Sequence, residues 1–499
     1  MTQVCPELGR GIRLRALLPN AETLGTDDLW VERCTCDSRR VRPGDLFVAL
    51  AGSQCDGREF VAEAIDRGCA AVLCERPLAD VALPQCIVPD ARNAFGRLCQ
   101  ALAGDPSRQL RVVGITGTNG KTTTSCLVAG MLTEAGHHVG LLGTLGYLDG
   151  KVIHPSTLTT PPADELADYL ARMVENDCTH AIVEVSSHAL AQLRTAGVQF
   201  DAACITNVRR DHLDYHRSLA EYRKTKARLL GQLGPEGFAV VNADDPGAAD
   251  CVRDFNGPVL TVGMHQAAEI TATLVEQQLS EQTFLLTAGS ETIPVRTRMI
   301  GAHHVSNCLV AAAVGLTYGI DLPTVVRGLE SVGYVPGRLE RIECGQPFGV
   351  FVDYAHAPDA LAAMLSAVRE VTDGRVICVF GAGGDRDRRK RPEMGAVVDR
   401  LADEIVITND NPRWEDPQRI ADDIWRGVTR RAHARTILDR GRAIRWALAE
   451  ARPGDSVLIA GKGHEKYQIL GTHRIPFDDR EIARQWLYQL QPAGVSGEG

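Results

Sequence analysis

A short run rich in glycine, lysine and threonine has the composition of a loop that binds nucleotide phosphates. The run Gly114-Ile-Thr-Gly-Thr-Asn-Gly-Lys-Thr-Thr-Thr124 follows the apolar residues 111–115 and precedes a segment with helical character over 121–135. Glycines let the backbone curl so that successive N–H groups face one anion, and the helix start adds partial positive charge. Lys121 can reach the β and γ phosphates of a nucleoside triphosphate, and the Thr122 hydroxyl can ligate Mg²⁺.

The glycine spacing of this run departs from the standard phosphate loop. The standard pattern has a glycine six residues before the lysine, where this chain has Ile115. The glycines stand at Gly114, Gly117 and Gly120 instead. The alternative is an ordinary glycine-rich turn that caps a helix. Three glycines and Lys-Thr at a strand–helix junction favour a variant phosphate loop.

The composition excludes several classes of protein. The chain has 499 residues, of which 44% are hydrophobic and 23% charged, as expected for about three globular domains. A formal net charge of −9 argues against general binding to nucleic acid or to anionic membranes. No apolar stretch is long enough to span a membrane, and the first residues lack the basic and apolar segments of a signal peptide. We therefore expect a cytoplasmic protein that does not insert into a membrane.

The fifteen cysteines are scattered, mostly inside apolar runs. The closest pair, Cys34 and Cys36, has the wrong spacing for a zinc knuckle and lacks a second pair to complete one. We expect reduced cysteines that are buried as small apolar residues.

The distribution of apolar runs predicts an α/β protein of three domains. The expected domains are a small N-terminal α/β unit (1–107), a central domain with a mostly parallel sheet and the variant phosphate loop (108–335), and a C-terminal Rossmann-like domain (336–499). The predicted strands are 45–50, 70–74, 111–116, 138–142, 180–185, 203–207, 350–353, 376–380, 404–408 and 456–460; the predicted helices include 60–68 and 121–135.

The C-terminal region places a polar or glycine-rich motif after each of its four predicted strands. Open α/β sheets bind ligands at the carboxyl ends of their strands, so these motifs should meet at one edge. The motifs are Tyr354–Pro358, Gly381–Arg386, Asp410–Arg413 and Gly461–Glu465. Turn formation alone accounts for the glycines but not for the charged side chains that accompany them.

Taken in order, the motifs resemble those of the Mur ligases of peptidoglycan synthesis, over essentially the whole chain. A series of motifs in one order is more specific than any single member. The matching segments are Thr116–Thr123, Glu184–His188, Thr206–Val208, Asp211–His216, Gly337–Glu340, Asp353–Pro358, Asp410–Arg413 and Gly461–Glu465.

The resemblance implies an ATP-dependent ligase that adds meso-diaminopimelate to UDP-N-acetylmuramoyl-L-alanyl-D-glutamate, in the synthesis of the cell wall on which cell shape and division depend. ATP would phosphorylate the free D-glutamyl carboxylate, and the amine would displace phosphate from the acyl phosphate. Both steps pass negative charge through oxygen atoms, so the site needs cations and N–H donors more than a nucleophile. The absence of a serine or cysteine nucleophile motif agrees with this.

The resemblance also implies the residues that bind ATP and Mg²⁺. The residues expected to contact ATP are Gly117, Thr118, Asn119, Gly120, Lys121, Thr122, Thr123, Asn307, Arg338 and Asp353. Mg²⁺ is expected at Thr122, and a second Mg²⁺ at Glu184 and His212, with substrate phosphate oxygens completing the shell. Lys121, Glu184, His212 and Lys226 form the expected catalytic set. His304 departs from the family pattern, which usually has asparagine there.

Lys226 matches the family lysine that is carbamylated, which would convert a cation into an anionic oxygen ligand for the second metal. Since CO₂ adds to a neutral amine, the environment must favour the uncharged form. Lys224 is the neighbouring alternative. The spacing from Asp211 and the following Ala-x-Leu-Leu select Lys226.

A third set of residues is expected to bind the UDP-linked dipeptide. The set comprises Ser38, Ser53, Gln54, Cys55, Thr159, Thr160, Ser186, Gln192 and Arg194. Arg194 is a natural partner for a carboxylate. The chain departs from the family pattern at Ser53, where relatives often have histidine, and at Leu158, where they commonly have asparagine.

The amino acid that is added should be recognised by a fixed cation, because meso-diaminopimelate differs from lysine by a carboxylate at its far end. Asp410–Arg413 resembles the family's diaminopimelate pattern, in which Arg413 would supply that cation, and Pro412 restricts its loop. Burying Arg413 unpaired, as a lysine-adding enzyme would, costs several kcal/mol. The full expected set is Arg386, Asp410, Asn411, Pro412, Arg413, Gly461 and Glu465, with Glu465 accepting from the ammonium group.

Three alternatives remain open: another amide ligase of the superfamily (lysine-adding, alanyl-alanine-adding or folylpolyglutamate-forming), a nucleotide-gated switch or phosphotransferase, and a non-catalytic binding module. The Asp410–Arg413 motif argues against another amide ligase, and the arginines of the C-terminal region argue against a switch or phosphotransferase. We further expect a monomer whose partners are small molecules, and hinge motion near 335–337, because the acyl phosphate must be protected from water.

Overall fold

The computed structural model describes residues 11–26, 28–52 and 55–490. The chain forms two compact units. The first contains the chain up to Thr116 together with His137–Cys204 and Thr225–Ala239; the second contains Gly117–Gly136, Ile205–Lys224 and the chain from Val240 onward. The domain boundaries predicted at 107/108 and 335/336 stay a prediction.

The N-terminal part of the first unit is built on a five-stranded sheet. Its strands lie in the order Glu22–Leu24, Gln85–Ile87, Ala71–Cys74, Leu46–Val48 and Cys34–Thr35, and all but the first run parallel. The strands Leu46–Val48 and Ala71–Cys74 are buried throughout, which is why they read as continuous apolar runs. The accompanying elements are the strands Ile12–Arg13 and Trp30–Val31, the helices Leu14–Leu17, Val61–Asp66 and Ala91–Leu102, and the 3₁₀ turns Ser38–Arg40, Gly57–Phe60 and Pro106–Arg108.

The first unit also contains the strand that leads into the phosphate loop. Its strands lie in the order Ile153–His154, Gly146–Leu148, Val139–Gly143, His180–Glu184, Arg111–Thr116 and Phe200–Ile205. His180–Glu184 runs parallel to both Val139–Gly143 and Arg111–Thr116. The helices are Ala163–Glu175 and Ser187–Ala191, the helix Leu219–Ala227 ends in this unit, the 3₁₀ turn is Leu230–Gln232, and the strand Leu233–Asn242 begins here.

In the second unit, the helix Lys121–Glu134 packs against the helices Ala302–Thr317 and Leu322–Ser331. The strand Val259–Gly263 pairs parallel with Ile270–Gln277, which starts an antiparallel meander continued by Gln282–Ala288 and Glu291–Thr297. The short helices Leu213–His216 and Pro246–Cys251 also belong here. The meander is a difference from the sequence analysis, which predicted only a mostly parallel central sheet.

The C-terminal part of the second unit is a doubly covered sheet. Its strands lie in the order Glu340–Arg341, Gly349–Asp353, Ser456–Ala460, Val376–Phe380, Glu404–Ile407 and Ala434–Thr436, and only the first is antiparallel. Pro358–Glu370, Lys390–Leu401 and Pro417–Trp425 cover one face, and Arg440–Glu450 and Asp479–Leu490 the other. The 3₁₀ turn Arg431–His433 and the hairpin Tyr467–Leu470 with His473–Pro476 complete it.

The predicted α/β class and most of the predicted strands are confirmed. The strands 111–116, 376–380 and 456–460 have the predicted bounds. The prediction 203–207 was wrong at both ends, because the strand is Phe200–Ile205 and the residues after it belong to a loop that contacts the phosphate loop. The fourteen cysteines within the described residues are free, and none of the helices described there is long and apolar enough to cross a membrane.

We predict that Gly328→Ala destabilises the helical layer of the second unit. A Cβ at Gly328 would lie 2.4 Å from the Cα of Met131 on the packed helix Lys121–Glu134, where backbone cannot move aside. Overpacking of this kind costs about 1–3 kcal/mol, which urea unfolding measures. Gly231→Ala is the matched control, since a Cβ at Gly231 would meet no atom within 4 Å, and it should change the free energy of unfolding by less than about 0.5 kcal/mol. Equal effects of the two substitutions would contradict this account of the packing.

Candidate active site

The phosphate loop owes its shape to glycines that cannot be replaced. Gly120 has φ +86° at the start of the helix Lys121–Glu134, in the left-handed region that side chains disfavour. A Cβ there would also lie 2.4 Å from Asn307 Oδ1, and a Cβ at Gly117 would lie 1.9 Å from Thr206 Oγ1. The loop is therefore packed against side chains from two later segments of the same unit.

The Lys121 ammonium is held over the loop by backbone carbonyls. Its Nζ donates to the oxygens of Gly117 at 2.9 Å and Thr118 at 3.0 Å. These bonds fix the cation next to the N–H groups that open the helix. An anion bound at this helix start would meet both the ammonium and the N–H donors.

A second loop, after the strand Phe200–Ile205, locks the phosphate loop in place. Asn207 and Asn119 form a reciprocal pair, in which the Asn119 N–H donates to Asn207 Oδ1 at 2.8 Å and Asn207 Nδ2 donates to the Asn119 carbonyl at 3.1 Å. Thr206 Oγ1 donates to the same carbonyl at 2.6 Å, and the Thr118 N–H donates to the Asn207 carbonyl at 2.9 Å. Backbone groups of the loop are thus satisfied before any ligand binds.

Arg338 reaches the same helix start from the C-terminal part of the unit. Its Nη2 donates to Thr122 Oγ1 at 3.0 Å, and its guanidinium lies 4.7 Å from the centre of the Tyr354 ring. Its buried Nε has no hydrogen-bond partner among the described residues. A buried cationic donor without an acceptor is costly, and a phosphate oxygen would satisfy it.

The Asp353 carboxylate accepts hydrogen bonds from the protein backbone. The donors are the N–H groups of Leu339 at 2.7 Å and Ala355 at 2.6 Å. Burial raises the pKa of Asp353, although the positive charge of Arg338 and the two N–H donors act in the opposite direction. The carboxylate therefore fixes the backbone that carries Arg338.

Asn307 and His304 lie on the helix Ala302–Thr317 but face different surroundings. Thr124 Oγ1 donates to Asn307 Oδ1 at 3.3 Å, so Asn307 lies against the phosphate loop. His304 is buried, and its Nε2 lies 3.3 Å from Thr297 Oγ1 and 3.4 Å from Cys308 Sγ. Burial lowers the pKa of His304 to about 3, so the imidazole is neutral. Its polar contacts are thus made within the protein interior.

The predicted amino-acid residues come together at the carboxyl edge of the C-terminal sheet. Asn411 Nδ2 donates to Glu465 Oε2 at 2.8 Å, and the fully buried Lys462 donates to Asn411 Oδ1 at 3.0 Å and to the same Glu465 oxygen at 2.9 Å. A Cβ at Gly461 would lie 2.6 Å from Asp410 Oδ2. The two motifs Asp410–Arg413 and Gly461–Glu465 therefore form one hydrogen-bonded cluster.

Arg413 is held by backbone contacts as well as by the preceding Pro412. It adopts φ +53°, its N–H donates to the Ile469 carbonyl at 3.1 Å, and its Nη1 donates to the Gly384 carbonyl at 2.7 Å. A Cβ at Gly383 would lie 3.0 Å from Arg413 Nη1 and 3.7 Å from Arg386 Cγ, so both arginines border this glycine. Arg386 itself is exposed.

A buried ion-pair cluster that the sequence analysis missed braces these arginine loops. The side chain of Arg391 is 1% exposed and donates to both oxygens of Glu415, to Asp423 and to the Gly383 carbonyl. The Arg391 hydrogen bond lowers the pKa of Glu415 to about 2. Glu415 also accepts from the Asp385 N–H at 2.6 Å, which ties the two loops together.

In the first unit, Glu184 is completely buried at the end of its strand. Thr144 donates to both carboxylate oxygens, from its N–H at 2.9 Å and from its hydroxyl at 3.0 Å. The same hydroxyl lies 3.2 Å from Thr159 Oγ1. The sequence did not reveal the role of Thr144, because no local pattern indicates a contact with Glu184, forty residues away.

The other predicted dipeptide residues form a chain of contacts in the same unit. Thr160 Oγ1 donates to the Glu184 carbonyl at 2.7 Å and accepts from the Ser186 N–H at 3.0 Å. Arg194 donates to the Thr160 carbonyl at 2.9 Å and, through Nε and Nη2, to Gln192 Oε1 at 3.0 and 2.6 Å. Thr159, Thr160, Ser186, Gln192 and Arg194 are thus brought together.

Ser38, Cys55 and Leu158, which the sequence analysis also singled out, lie in the first unit. Ser38 donates from its hydroxyl to Glu63 at 2.7 Å, and Cys55 is exposed. Ser53 and Gln54 lie outside the described residues. The Leu158 N–H donates to the Tyr147 hydroxyl at 3.1 Å, so the backbone at this departure from the family pattern is held even though the residue is exposed.

The two lysines considered for carbamylation, Lys226 and Lys224, differ in burial. Lys226 is 1% exposed, whereas Lys224 is exposed on the same helix. Burial favours a neutral amine and hence reaction with CO₂, which supports the choice of Lys226. The same helix carries Tyr222, whose ring packs 5.1 Å from the buried ring of His216. His216 is therefore a core residue.

His212 is a partly exposed residue of the second unit. It precedes the helix Leu213–His216 with φ +52°, and its Nε2 lies 3.4 Å from Asp211 Oδ2. Although burial alone would raise the pKa of Asp211, the nearby His212, His356 and Lys390 lower it below its usual value. Asp211 is thus an anion that orients the His212 ring.

Hydroxyl and carboxylate oxygens such as those of Thr122 and Glu184 are ligands that suit Mg²⁺. Of the four predicted ligands, Glu184 and Lys226 belong to the first unit, and Thr122 and His212 to the second. Among the described residues there is no cluster of three or more His, Cys, Asp or Glu side chains that could hold a metal by themselves. Mg²⁺ in nucleotide sites usually has one or two carboxylates, with phosphates and water supplying the remaining ligands.

Known proteins resemble this chain over nearly its whole length. A diaminopimelate ligase from Gloeobacter violaceus, named UDP-N-acetylmuramoyl-L-alanyl-D-glutamate–2,6-diaminopimelate ligase, is 42% identical over 491 residues, which is 97% of this chain and 99% of the relative. A relative of the same name from Geobacillus thermodenitrificans is 42% identical over 456 residues, which is 90% of this chain and 93% of the relative. The chain belongs to the Mur ligase family.

Family models and a solved structure extend the match to the architecture. The models match residues 31–100 (Mur ligase family, catalytic domain), 115–315 (Mur ligase middle domain) and 337–463 (Mur ligase, glutamate ligase domain). A solved structure of a UDP-N-acetylmuramoyl-L-alanyl-D-glutamate–2,6-diaminopimelate ligase is 32% identical, covers 97% of this chain and 100% of its own, and has a TM-score of 0.70. This Mur ligase therefore has the three-domain α/β architecture of the family.

We predict that Asn207→Ala weakens ATP binding by about tenfold, because it removes both side-chain bonds to Asn119 and loosens the phosphate loop. Calorimetry with a non-hydrolysable ATP analogue measures the change. Asn176→Ala is the control, since it removes one side-chain bond, to the Asp149 carbonyl, away from the loop. Wild-type affinity in a folded Asn207→Ala protein would count against this role.

Proposed function

We propose that this Mur ligase adds meso-diaminopimelate to the D-glutamate of UDP-N-acetylmuramoyl-L-alanyl-D-glutamate, converting ATP to ADP and phosphate through an acyl-phosphate intermediate. The relatives reported above carry the name of this activity. The product would be a peptidoglycan precursor. Since both the nucleotide sugar and ATP are intracellular metabolites, we place the reaction in the cytoplasm.

The observation that carries the proposal is the cluster formed by Asp410–Arg413 and Gly461–Glu465. It offers the fixed Arg413 guanidinium and the Glu465 carboxylate at one sheet edge. The distal end of meso-diaminopimelate carries one carboxylate and one ammonium, which match these two groups in charge. Because Glu465 Oε2 already accepts from Lys462 and Asn411, the Oε1 atom is the acceptor that we assign to the substrate ammonium.

The nucleotide residues support phosphoryl transfer to a carboxylate. Lys121, the N–H groups of the helix start and Arg338 supply positive charge where the γ-phosphate would lie. Phosphoryl transfer depends on positioning and charge neutralisation more than on covalent catalysis. These donors are fixed beforehand by protein contacts, so little reorganisation is needed during the reaction.

The polar residues of the first unit support binding of the acceptor substrate. Arg194 is held by Thr160 and Gln192 and presents a planar cation suited to the dipeptide's carboxylate. Ser38 and Cys55 lie in the segments that we assign to the UDP group. Ser53 and Gln54 stay predictions for the same site.

We assign one Mg²⁺ to Thr122 and a second Mg²⁺ to Glu184, His212 and carbamylated Lys226. When bound, Mg²⁺ would neutralise charge on the phosphate oxygens and on the carboxylate. Thr144 holds the Glu184 carboxylate in one orientation through two hydrogen bonds, and Asp211 does the same for the His212 ring. The carbamate forms when the neutral Lys226 amine attacks CO₂ and a proton is released.

The Lys226 assignment predicts a spectroscopic signature and a loss of activity. In Lys226→Ala we expect kcat to fall by about 100-fold and the carbamate signal in ¹³C NMR after ¹³CO₂ labelling to disappear. Lys224→Ala is the matched control, because Lys224 is exposed two residues away, and it should keep both. Near-normal turnover of Lys226→Ala would sink the assignment.

The substrate assignment predicts that wild-type protein turns over meso-diaminopimelate in preference to lysine and ornithine. Arg413→Ala should raise KM for meso-diaminopimelate about 30- to 100-fold, since a charge-assisted bidentate contact is lost, and should affect lysine much less. The control is Arg419→Ala, whose side chain is 84% exposed on the following helix. Unchanged diaminopimelate kinetics in Arg413→Ala, or a wild-type preference for lysine, would refute the assignment.

A nucleotide-gated switch is the second candidate, and only the isolated phosphate loop favours it. A ligase should release phosphate only when UDP-dipeptide and amino acid are both present, whereas a switch would release it slowly without them.

We further propose that the protein acts as a monomer and that residues 335–337 permit domain closure. Gly337 has φ +66°, a backbone conformation that glycine adopts without strain.

A further inference from the structure

A fully buried ion pair beside the C-terminal sheet, Arg440 with Asp479, is used by neither the motifs nor the proposed mechanism. Arg440 and Asp479 are the first residues of the helices Arg440–Glu450 and Asp479–Leu490, and both side chains are 0% exposed. Arg440 Nε donates to Asp479 Oδ1 at 2.7 Å, and Nη2 donates to Oδ2 at 2.6 Å. This is the bidentate geometry of a strong ion pair.

The remaining donors of Arg440 reach two strand ends. Nη1 donates to the Asn409 carbonyl at 3.1 Å, and Nη2 donates to the Ala460 carbonyl at 2.9 Å. Asn409 comes directly before Asp410, and Ala460 directly before Gly461. One guanidinium thus joins the starts of both loops that we assign to the amino-acid substrate.

The spacing of these loops depends on that junction. A Cβ at Gly461 would lie 2.6 Å from Asp410 Oδ2 and 3.9 Å from Arg440 Nη2, so the loops approach closely at this point. Just beyond it, Asn411, Lys462 and Glu465 form their hydrogen bonds across the same gap. A shift at the strand ends would therefore change the position of Glu465 relative to Arg413.

We propose that Arg440, oriented by Asp479, is a positioning residue that sets the register of the two amino-acid loops and thereby the affinity for meso-diaminopimelate. The inference rests on the proposed function, since it assigns these loops to that substrate. Arg440 does not touch substrate. It acts through the carbonyls of Asn409 and Ala460, which only a planar cation with several donors can join while still pairing with Asp479.

The opposite edge of the same sheet provides a control, an arginine–aspartate pair whose arginine side chain is 32% exposed where that of Arg440 is 0% exposed. Arg375 donates from Nε and Nη2 to Asp455 Oδ2 at 3.2 and 2.8 Å, and from Nη2 to the Glu450 carbonyl at 2.9 Å. These residues precede the strands Val376–Phe380 and Ser456–Ala460, at the edge away from the amino-acid loops. An arginine–aspartate pair of the same chemistry thus braces the same sheet without joining the candidate site.

The test compares Arg440→Lys with Arg375→Lys by steady-state kinetics for all three substrates, on full-length protein. Lysine keeps the charge but cannot pair with Asp479 and reach both carbonyls. In Arg440→Lys we expect KM for meso-diaminopimelate to rise about tenfold, and KM for ATP and for the UDP-dipeptide and kcat to stay within about twofold. Arg375→Lys should leave all these values within about twofold. Asp479→Asn, which keeps the shape but weakens the orientation of Arg440, should raise the same single KM.

The outcomes separate this inference from the proposed function. Wild-type protein that fails to turn over meso-diaminopimelate would refute the proposed function itself. Wild-type protein that does so, together with Arg440→Lys whose KM for meso-diaminopimelate is unchanged or rises no more than those for ATP and UDP-dipeptide, would overturn only the positioning role. If Arg440→Lys does not fold, Asp479→Asn decides by the same comparison of KM values.

Discussion

The carboxyl ends of parallel strands lie at one edge of a sheet, and the arrangement of the C-terminal site depends on this constraint. Four neighbouring strands of this sheet run parallel, in the order Gly349–Asp353, Ser456–Ala460, Val376–Phe380 and Glu404–Ile407. Four loops distant in sequence therefore emerge together, and they carry the arginines, carboxylates and amides of the candidate site. Helices on both faces bury the strands, so the edge is a rigid base for those loops.

The cations of the candidate site are held by the protein before any ligand arrives. Lys121 is fixed by two loop carbonyls, Arg413 by the Gly384 carbonyl and Arg338 by Thr122. Each contact fixes the position of the cation. Such preorganisation suits a reaction in which charge passes between carboxylate and phosphate oxygens, because the protein need not rearrange as charge develops.

Local sequence patterns predicted the strands, the phosphate loop and the clustered motifs, because apolar runs and glycine–lysine turns are local features. They could not show the antiparallel meander 270–297, whose half-exposed strands lack a continuous apolar run. Nor could they reveal Thr144, Asn207 or Arg440, whose partners lie 40, 88 and 39 residues away. The choice between Lys226 and Lys224 rested on motif spacing, and burial supplied an independent physical reason for it.

In the proposed reaction, ATP activates the D-glutamyl carboxylate as an acyl phosphate. Labelling both oxygens of that carboxylate with ¹⁸O tests this step, because amine attack breaks the bond between the acyl carbon and the bridging oxygen. We expect each released phosphate to carry one ¹⁸O atom and the amide to keep the other. Phosphate released without label during amide formation would refute the acyl-phosphate intermediate, because its fourth oxygen would then have come from water.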